Sequence, residues 1–445
     1  MSQVLQAGFA AVDITPPLGV YLAGHFNARP AHGRHDPLTA QAIVFALGDE
    51  RLALVGCDLV AVPGELTALV RERLAALGDN SVLMLWGTHT HAGPVMNAGG
   101  SEARDEEYFH TLAAKLAGAV MAASHNLRPV TLKIGWGSED RIAYNRRYLM
   151  KDGSIRTNPG VGNPEISRVD GPKDPAVGAL FVYDADGNSP DSAREDTDDP
   201  LGSGAHAELR AVLVNFACHL DVLGNGNFLF SADYPYFMRE MLQAAYGKSL
   251  VIPFANGPCG NINHINVFAK KRQGGYDHAR MMGMMLAGEV LKIEREAAPL
   301  AVTELSGQSR VLELQRRPYS EEELAELRRL LADDRIPDRA YPKIRARTHL
   351  RRHEQGETTE PIEVQTLKLG DLALFGIPAE FFVEYGLQLR ERSSTPHTFV
   401  VELANDCIGY VPTPEAFDGG AYEGTSARFA RDTGQTMADA VLEML

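Results

Sequence analysis

Two histidines spaced two residues apart, His89 and His91, stand just past an apolar run in Leu85-Trp86-Gly87-Thr88-His89-Thr90-His91-Ala92-Gly93-Pro94. Imidazole ligates zinc and exchanges protons near neutral pH. In an extended chain residues i and i+2 point to the same side, so both rings can face one pocket. A lone His-x-His is as often an ordinary polar loop, and other sites along the chain decide the matter. His219 and Asp221 follow the apolar run 209–217, and Asn256-Gly257-Pro258-Cys259-Gly260-Asn261-Ile262-Asn263 follows the run 250–254. Three apolar runs thus end in loops able to hold ligands. That repetition favours one composite site at the C-terminal ends of strands, where open α/β sheets hold ligands.

The elements that must position these residues read as layered α/β. Strands are expected at 41–47, 52–56, 81–86, 130–136, 179–183 and 209–217, with amphipathic helices at 64–77 and 104–126. A hairpin at 362–369 and 372–376 delivers Ile377-Pro378-Ala379-Glu380 to a helix at 381–391. Residues 184–208 are acidic and rich in Gly, Ser and Pro, which predicts a flexible surface loop. A charged helical excursion at about 319–360, with its run of Arg and His, reads as a solvated face or an oligomer contact. No internal repeat separates domains, so residues 1–445 are expected to form one unit.

The composition is that of a globular chain, 44% hydrophobic and 23% charged, with a formal net charge of −15. That charge argues against nucleic acid and against an anionic membrane surface as partners. The N-terminus lacks a basic segment followed by an apolar one, and no stretch reaches membrane-spanning length, so a cytoplasmic protein is expected, without stable membrane insertion. Cys57, Cys218, Cys259 and Cys407 are scattered, which favours free thiols over a disulfide framework. A homo-oligomer is the default for a soluble enzyme.

With its motifs taken in order, the sequence resembles the neutral ceramidases and their bacterial relatives. The carriers are Asp13-Ile14-Thr15-Pro16, Gly87-Thr88-His89-Thr90-His91-Ala92-Gly93-Pro94, Asn145-Arg146, His219 and Ser231-Ala232-Asp233-Tyr234-Pro235. Asn256-Gly257 to Asn263, Pro378-Ala379-Glu380-Phe381, Tyr410 and Tyr422 complete the set. The resemblance implies mixed β-sheets flanked by helices and a zinc amidase site. His89, His219, Glu380 and Tyr410 would hold one Zn2+ per chain, and His91, Arg146 and Tyr422 would surround the reacting centre. Zinc accepts such N and O ligands and activates water against a carbonyl. Two histidines and a carboxylate also suit other divalent metals, and tyrosine is the least usual ligand of the four.

His91 would protonate the leaving amine, Tyr422 would donate to the developing oxyanion, and Arg146 would grip a substrate oxygen bidentately. Asp58 and Asp221, and with them Asp36, could orient a ligating imidazole through its other nitrogen. Asn261 and Asn263 are candidate substrate or loop-supporting groups.

The sequence departs from the family pattern in three ways. The family's Gly-Asp-x-Ser-Pro string is replaced by Gly260-Asn261-Ile262-Asn263, which removes a serine nucleophile. The chain stops soon after Tyr422, so the family's further C-terminal β-sandwich domain is not expected. The family is usually secreted or membrane-facing, whereas this sequence shows no signal segment and is acidic, and no apolar stretch is suited to extracting a two-chain lipid from a bilayer. The leading reading is therefore a zinc-dependent hydrolase of a linear amide in a small, soluble substrate. The alternatives are a metal-dependent esterase or lactonase, a true ceramidase, a hydrolase built on Cys259, and a non-catalytic zinc-binding protein.

Overall fold

The computed structural model describes residues 4–97, 102–185, 207–271 and 273–445. The expected acidic loop at 184–208 lies almost entirely outside them. In chain order the principal elements begin with β1 (Gln6–Asp13), β2 (Thr39–Leu47), β3 (Glu50–Cys57), α1 (Gly64–Ala76), β4 (Val82–Gly87) and α2 (Glu106–His125). Next come β5 (Arg128–Ser138), β6 (Ala176–Asp184), β7 (Leu209–Phe216), α3 (Tyr234–Tyr246), β8 (Phe254–Asn256) and α4 (Tyr276–Glu296). The second half holds β9 (Leu305–Gln315), α5 (Glu321–Ala332), α6 (Tyr341–Glu354), β10 (Thr359–Leu369), β11 (Leu372–Ile377) and β12 (Glu380–Phe381). It ends with α7 (Val383–Arg392), β13 (His397–Glu402), β14 (Tyr410–Val411), α8 (Ala421–Ser426) and α9 (Thr433–Leu442).

Two mixed sheets lie face to face. The larger runs β8-β7-β6-β5-β1-β2-β3-β4, and the smaller runs β9-β10-β11-β13. Most pairs are antiparallel, but β4, β8 and β13 each join their sheet as a parallel edge strand. Ile43, Phe45, Trp86 and Leu213 of the first sheet share one core with Leu367, Leu374 and Phe399 of the second. The outer face of the large sheet buries α1 and α2 on one half and α3 and α4 on the other. The outer face of the small sheet carries α7 and α9. Covered on both faces, the central strands lose the apolar–polar alternation: Thr39–Leu47 is buried at every position but the first. The four-layer result is the layered α/β fold expected of the sequence.

The expected strands and helices form within a few residues of their predicted bounds, except that the run at 250–254 makes an isolated bridge to β7 at Val251 and becomes a regular strand only from Phe254. The N-terminal strand β1 and the pair α4–β9 have no counterpart in the sequence reading. The charged stretch at 319–360 contains the two helices α5 and α6, which pack on each other through Leu324, Leu327, Ala346 and Leu350. It is not merely a solvated face. Lys343 and His349 are buried, and Tyr341 Oη bonds the Tyr422 carbonyl at 3.1 Å and Thr425 Oγ1 at 2.8 Å.

Candidate metal centre and active-site cleft

The C-terminal ends of β4, β7, β11 and β13 converge on one mouth between the two sheets. Beyond β4 the chain turns sharply, with His89 at φ 78°. A left-handed conformation costs a non-glycine residue roughly 1–3 kcal/mol and is concentrated at functional sites. The turn is held by His89 N to Leu59 O (2.9 Å) and Thr88 N to Cys57 O (2.8 Å). So the His-x-His pair is not extended. The kink brings the two rings together perpendicular to one another, with centroids 4.9 Å apart. A bridge from Thr90 to Leu220 and the bond from His91 N to Leu220 O (2.9 Å) tie this loop to the one carrying His219 and Asp221.

Glu380 and Tyr410 are set side by side by the shortest of parallel ladders, β12 against β14, in which they are direct partners. The glycine loop reaches them because Gly260 has no side chain. A Cβ there would lie 2.5 Å from the Glu380 carbonyl oxygen, whereas Gly260 N now bonds Phe381 O at 2.8 Å.

Both imidazoles are oriented by main-chain carbonyls: His89 Nδ1 bonds Val60 O and His219 Nδ1 bonds Cys259 O, each at 2.8 Å. Their Nε2 atoms are thereby aimed at one carboxylate oxygen, with Glu380 Oε2 3.5 Å from His89 and 3.3 Å from His219. His219 Nε2 and Glu380 Oε2 are buried without a hydrogen bond in this arrangement. Ligand atoms held about 2.0–2.1 Å from a tetrahedral ion stand roughly 3.3–3.4 Å apart. The set therefore fits a zinc-sized cation, which would satisfy both orphaned atoms. His91 Nε2 lies 3.4 Å from His89 Nε2, and the three imidazoles offer nitrogens within 4.8 Å of one another.

Against the effect of its burial, Glu380 raises the pKa of His89, so a cation bound here would displace a proton from that ring. Burial opposes the ionised form of Glu380, yet His219 and His89 hold its carboxyl well below the usual range. Burial and Arg146 lower His219 to about 4, so its ring is a neutral donor atom at pH 7. Burial also drives His91 well below the ordinary histidine value, against the pull of Asp221. Burial and Glu380 push the Tyr410 phenol well up, so its role as a ligand would need the field of a cation.

Tyr422 lies against Tyr410 with ring centroids 5.3 Å apart. Arg146 faces both rings, its guanidinium carbon 5.4 Å from the Tyr410 centroid and 5.9 Å from that of Tyr422. The structure thus brings together His89, His91, His219, Glu380, Tyr410, Tyr422 and Arg146. Asp221 joins them from the cleft side, bonded to His25 Nε2 at 2.9 Å and lying 3.9 Å from His91 Nδ1. Asn263 lines the same cleft and donates to Asn158 Oδ1 at 3.0 Å.

Other expected roles are corrected. Asp58 reaches neither imidazole, because its carboxylate is taken by Arg239 (2.7 and 2.8 Å) and by the Thr39 amide and hydroxyl (2.8 and 2.9 Å). Asp36 is likewise spent, accepting from Ser231 Oγ at 2.5 Å and Ala232 N at 2.7 Å. Of the two roles open to Asn261 it takes the loop-supporting one, accepting from Val383 N at 3.0 Å and donating to the Glu384 carboxylate at 2.9 Å. The bidentate grip expected of Arg146 is already used within the protein: Nε donates to Glu423 at 2.8 Å and Nη2 to Gly260 O at 2.7 Å.

Sequence reasoning missed Glu402, and the contacts of Cys259 speak against the alternative of a hydrolase built on it. Glu402 is fully buried at the end of β13 and accepts from Cys259 Sγ (2.7 Å), Cys259 N (2.9 Å) and Phe381 N (3.2 Å). Burial pushes its carboxyl up to about 8. The Cys259 thiol is completely buried, and burial together with Glu402 pushes its pKa well up. Held as a neutral donor, that sulfur is unsuited to nucleophilic attack. The signal for Glu402 was present as a carboxylate closing the apolar run 397–402, the same pattern that marks His219.

Comparison with known proteins agrees with the resemblance seen in the motifs. The chain is 23% identical to the neutral ceramidase of Pseudomonas aeruginosa over 466 aligned positions, which cover 89% of this chain and 65% of the relative. It thus spans just under two thirds of the curated relative it matches. The crystal structure of neutral ceramidase from Pseudomonas aeruginosa superposes with a TM-score of 0.75 at 21% identity, covering 100% of this chain and 74% of that one. A second solved chain, described as ceramidase complexed with C2, gives a TM-score of 0.75 at 20% identity, covering 99% and 75%. No family model matches the sequence.

Proposed function

We propose that this chain, which shares the fold of neutral ceramidase, is a zinc-dependent amidohydrolase. Its substrate would be a linear amide of the N-acyl amine type, small and soluble rather than a bilayer lipid. The observation that carries the reading is the pair of buried, orphaned ligand atoms, His219 Nε2 and Glu380 Oε2, converging with His89 Nε2 at ligand spacing. His89, His219, Glu380 and Tyr410 would hold the metal. A bound zinc ion polarises a carbonyl and activates water at neutral pH.

The surrounding residues supply the rest. His91 is the proton carrier for the leaving amine: its ring, held neutral by burial, takes the proton released when water attacks the carbonyl and passes it to the amide nitrogen, whose protonation lets the C–N bond break. Tyr422, beside Tyr410 and half-buried, is the donor for the developing oxyanion. Arg146, locked by Glu423 and the Gly260 carbonyl, fixes positive charge behind the two phenols and holds the glycine loop against Glu380. Asn263 contributes to the cleft wall.

The test is elemental analysis of the purified protein alongside chelator-sensitive hydrolysis of N-acyl amines. Near-stoichiometric zinc in the wild type, lost in the His89→Ala/His219→Ala double variant, is the expected result. A wild type that takes up no zinc and stays inert after zinc is added back overturns the reading.

A further inference from the structure

Beyond His219 and Arg146 opens a cleft of about 400 Å³ whose walls include His25, Asp221, Asn225, Asn263, His264 and Gln273. Asp221 uses only Oδ1 internally, in its bond to His25. Oδ2 has no hydrogen bond among the described residues, and the side chain is 32% exposed toward the cleft. His264 is 6% exposed, and its Nδ1 is buried without a hydrogen bond. An alkyl chain placed here would desolvate these groups and return nothing to them, whereas hydroxyl groups would satisfy both.

The cleft also has a direction. His91 stands between the candidate metal ligands and Asp221: its Nε2 is 3.4 Å from His89 Nε2 and its Nδ1 is 3.9 Å from Asp221. If His91 hands a proton to the departing nitrogen, the substituents on that nitrogen extend toward Asp221. This step rests on the amidohydrolase reading.

We infer that the Asp221 corner is the subsite for the amine half of the substrate, and that it takes a short, hydroxylated amine rather than an alkyl or long-chain one. Asp221 Oδ2 accepts from a hydroxyl of that amine. Asn225, on the rim, and His264, on the floor, complete a hydrogen-bonding wall. The acyl half lies on the side of Tyr410 and Tyr422.

The test uses the zinc-loaded full chain and two isosteric amines, aminopropanediol and the branched alkylamine in which methyl groups replace its hydroxyls. Both are cations at neutral pH, so the charge cancels in the comparison. Calorimetry is expected to show aminopropanediol binding about tenfold or more tighter, in line with sites built to bond a ligand hydroxyl. Asp221→Asn should bring the two within about threefold. Asn225→Val, at an exposed position, should also narrow the preference, by less than Asp221→Asn. Equal binding of the two amines by the wild type, or a preference that survives Asp221→Asn, overturns the subsite.

Hydrolysis of the corresponding N-acetyl amides and of a soluble short-chain ceramide then separates the two readings. Preference in binding without cleavage of any amide sinks the amidohydrolase and leaves the subsite standing. Cleavage that favours the alkyl amide or the ceramide sinks the subsite alone.

Discussion

Glu402 is the residue whose replacement tests the architecture most directly. It touches no candidate ligand, yet its carboxylate joins both arms of the centre. Through Cys259, whose carbonyl orients His219, it holds one arm, and through the amide of Phe381, next to Glu380, it holds the other. Above about pH 8, where the Glu402 carboxyl is ionised, Glu402→Gln keeps the shape but puts an amide NH2 in place of one acceptor oxygen, facing a donor. At least one buried donor is then left unsatisfied, a cost of about 1–3 kcal/mol. Residues that orient metal ligands from behind typically contribute roughly 10–100-fold in metal affinity, or about 1.4–2.7 kcal/mol. Competition against a chromophoric zinc chelator above about pH 8 is therefore expected to show Glu402→Gln binding zinc at least tenfold more weakly than wild type. Near-UV circular dichroism would confirm that the fold persists. Cys259→Ser keeps a donor to Glu402 and should stay within about threefold, while Cys259→Ala should fall between. An affinity for Glu402→Gln within twofold of wild type, in a folded protein, would refute the reasoning.

Other outcomes follow from single contacts. His91→Gln should retain zinc but lower kcat for amide hydrolysis by about 10²–10⁴-fold, the usual contribution of a positioned proton carrier; elemental analysis and steady-state kinetics on one preparation check both halves. Glu423, fully buried, pairs with Arg146 at 2.8 Å and Arg147 at 3.0 Å, so Glu423→Gln should lower the unfolding free energy in urea by roughly 3–5 kcal/mol. Asp233 caps α3 by accepting from Tyr234 N, and burial raises its carboxyl to about 7 from an ordinary 3.8. Because the folded value is the higher one, the native state holds its proton more tightly, and Asp233 costs stability progressively as pH rises from about 4 to 7. Asp233→Asn should flatten the fall in Tm across that window; an unchanged slope would show that the carboxyl is not the group responsible.

Much of the architecture was legible because apolar runs and their breakers announce buried strands, and because ligand-capable residues sit just past several of them. His89, His219 and Glu380 could be read in this way, and the paired tyrosines through the resemblance. What the sequence did not reveal depends on contacts distant along the chain. Nothing near Asp58 says that Arg239 will occupy it, and nothing near Asn261 says that it will cap the start of α7. The His-x-His pair illustrates a right conclusion with a different cause: the rings meet through a left-handed kink at His89, not through extended geometry. Charge misled at 319–360, where Lys343 and His349 sit inside a helical pair that supports Tyr422.

The candidate ligands are shared between the two sheets: His89 and His219 follow strands of the large one, while Glu380 and Tyr410 are held beside the small one. A cation at their meeting point is then a clasp across the central apolar layer, and the closeness of the clasp is governed by what fills that layer. Metal sites tolerate ligand displacements of only about 0.2 Å. Trimming Leu374 or Phe399 in that layer would let one sheet settle toward the other and loosen an ion held there. If the candidate ligands hold zinc, the interior of this protein is in that sense part of its metal chemistry, and zinc affinity becomes a gauge of how well two β-sheets are packed.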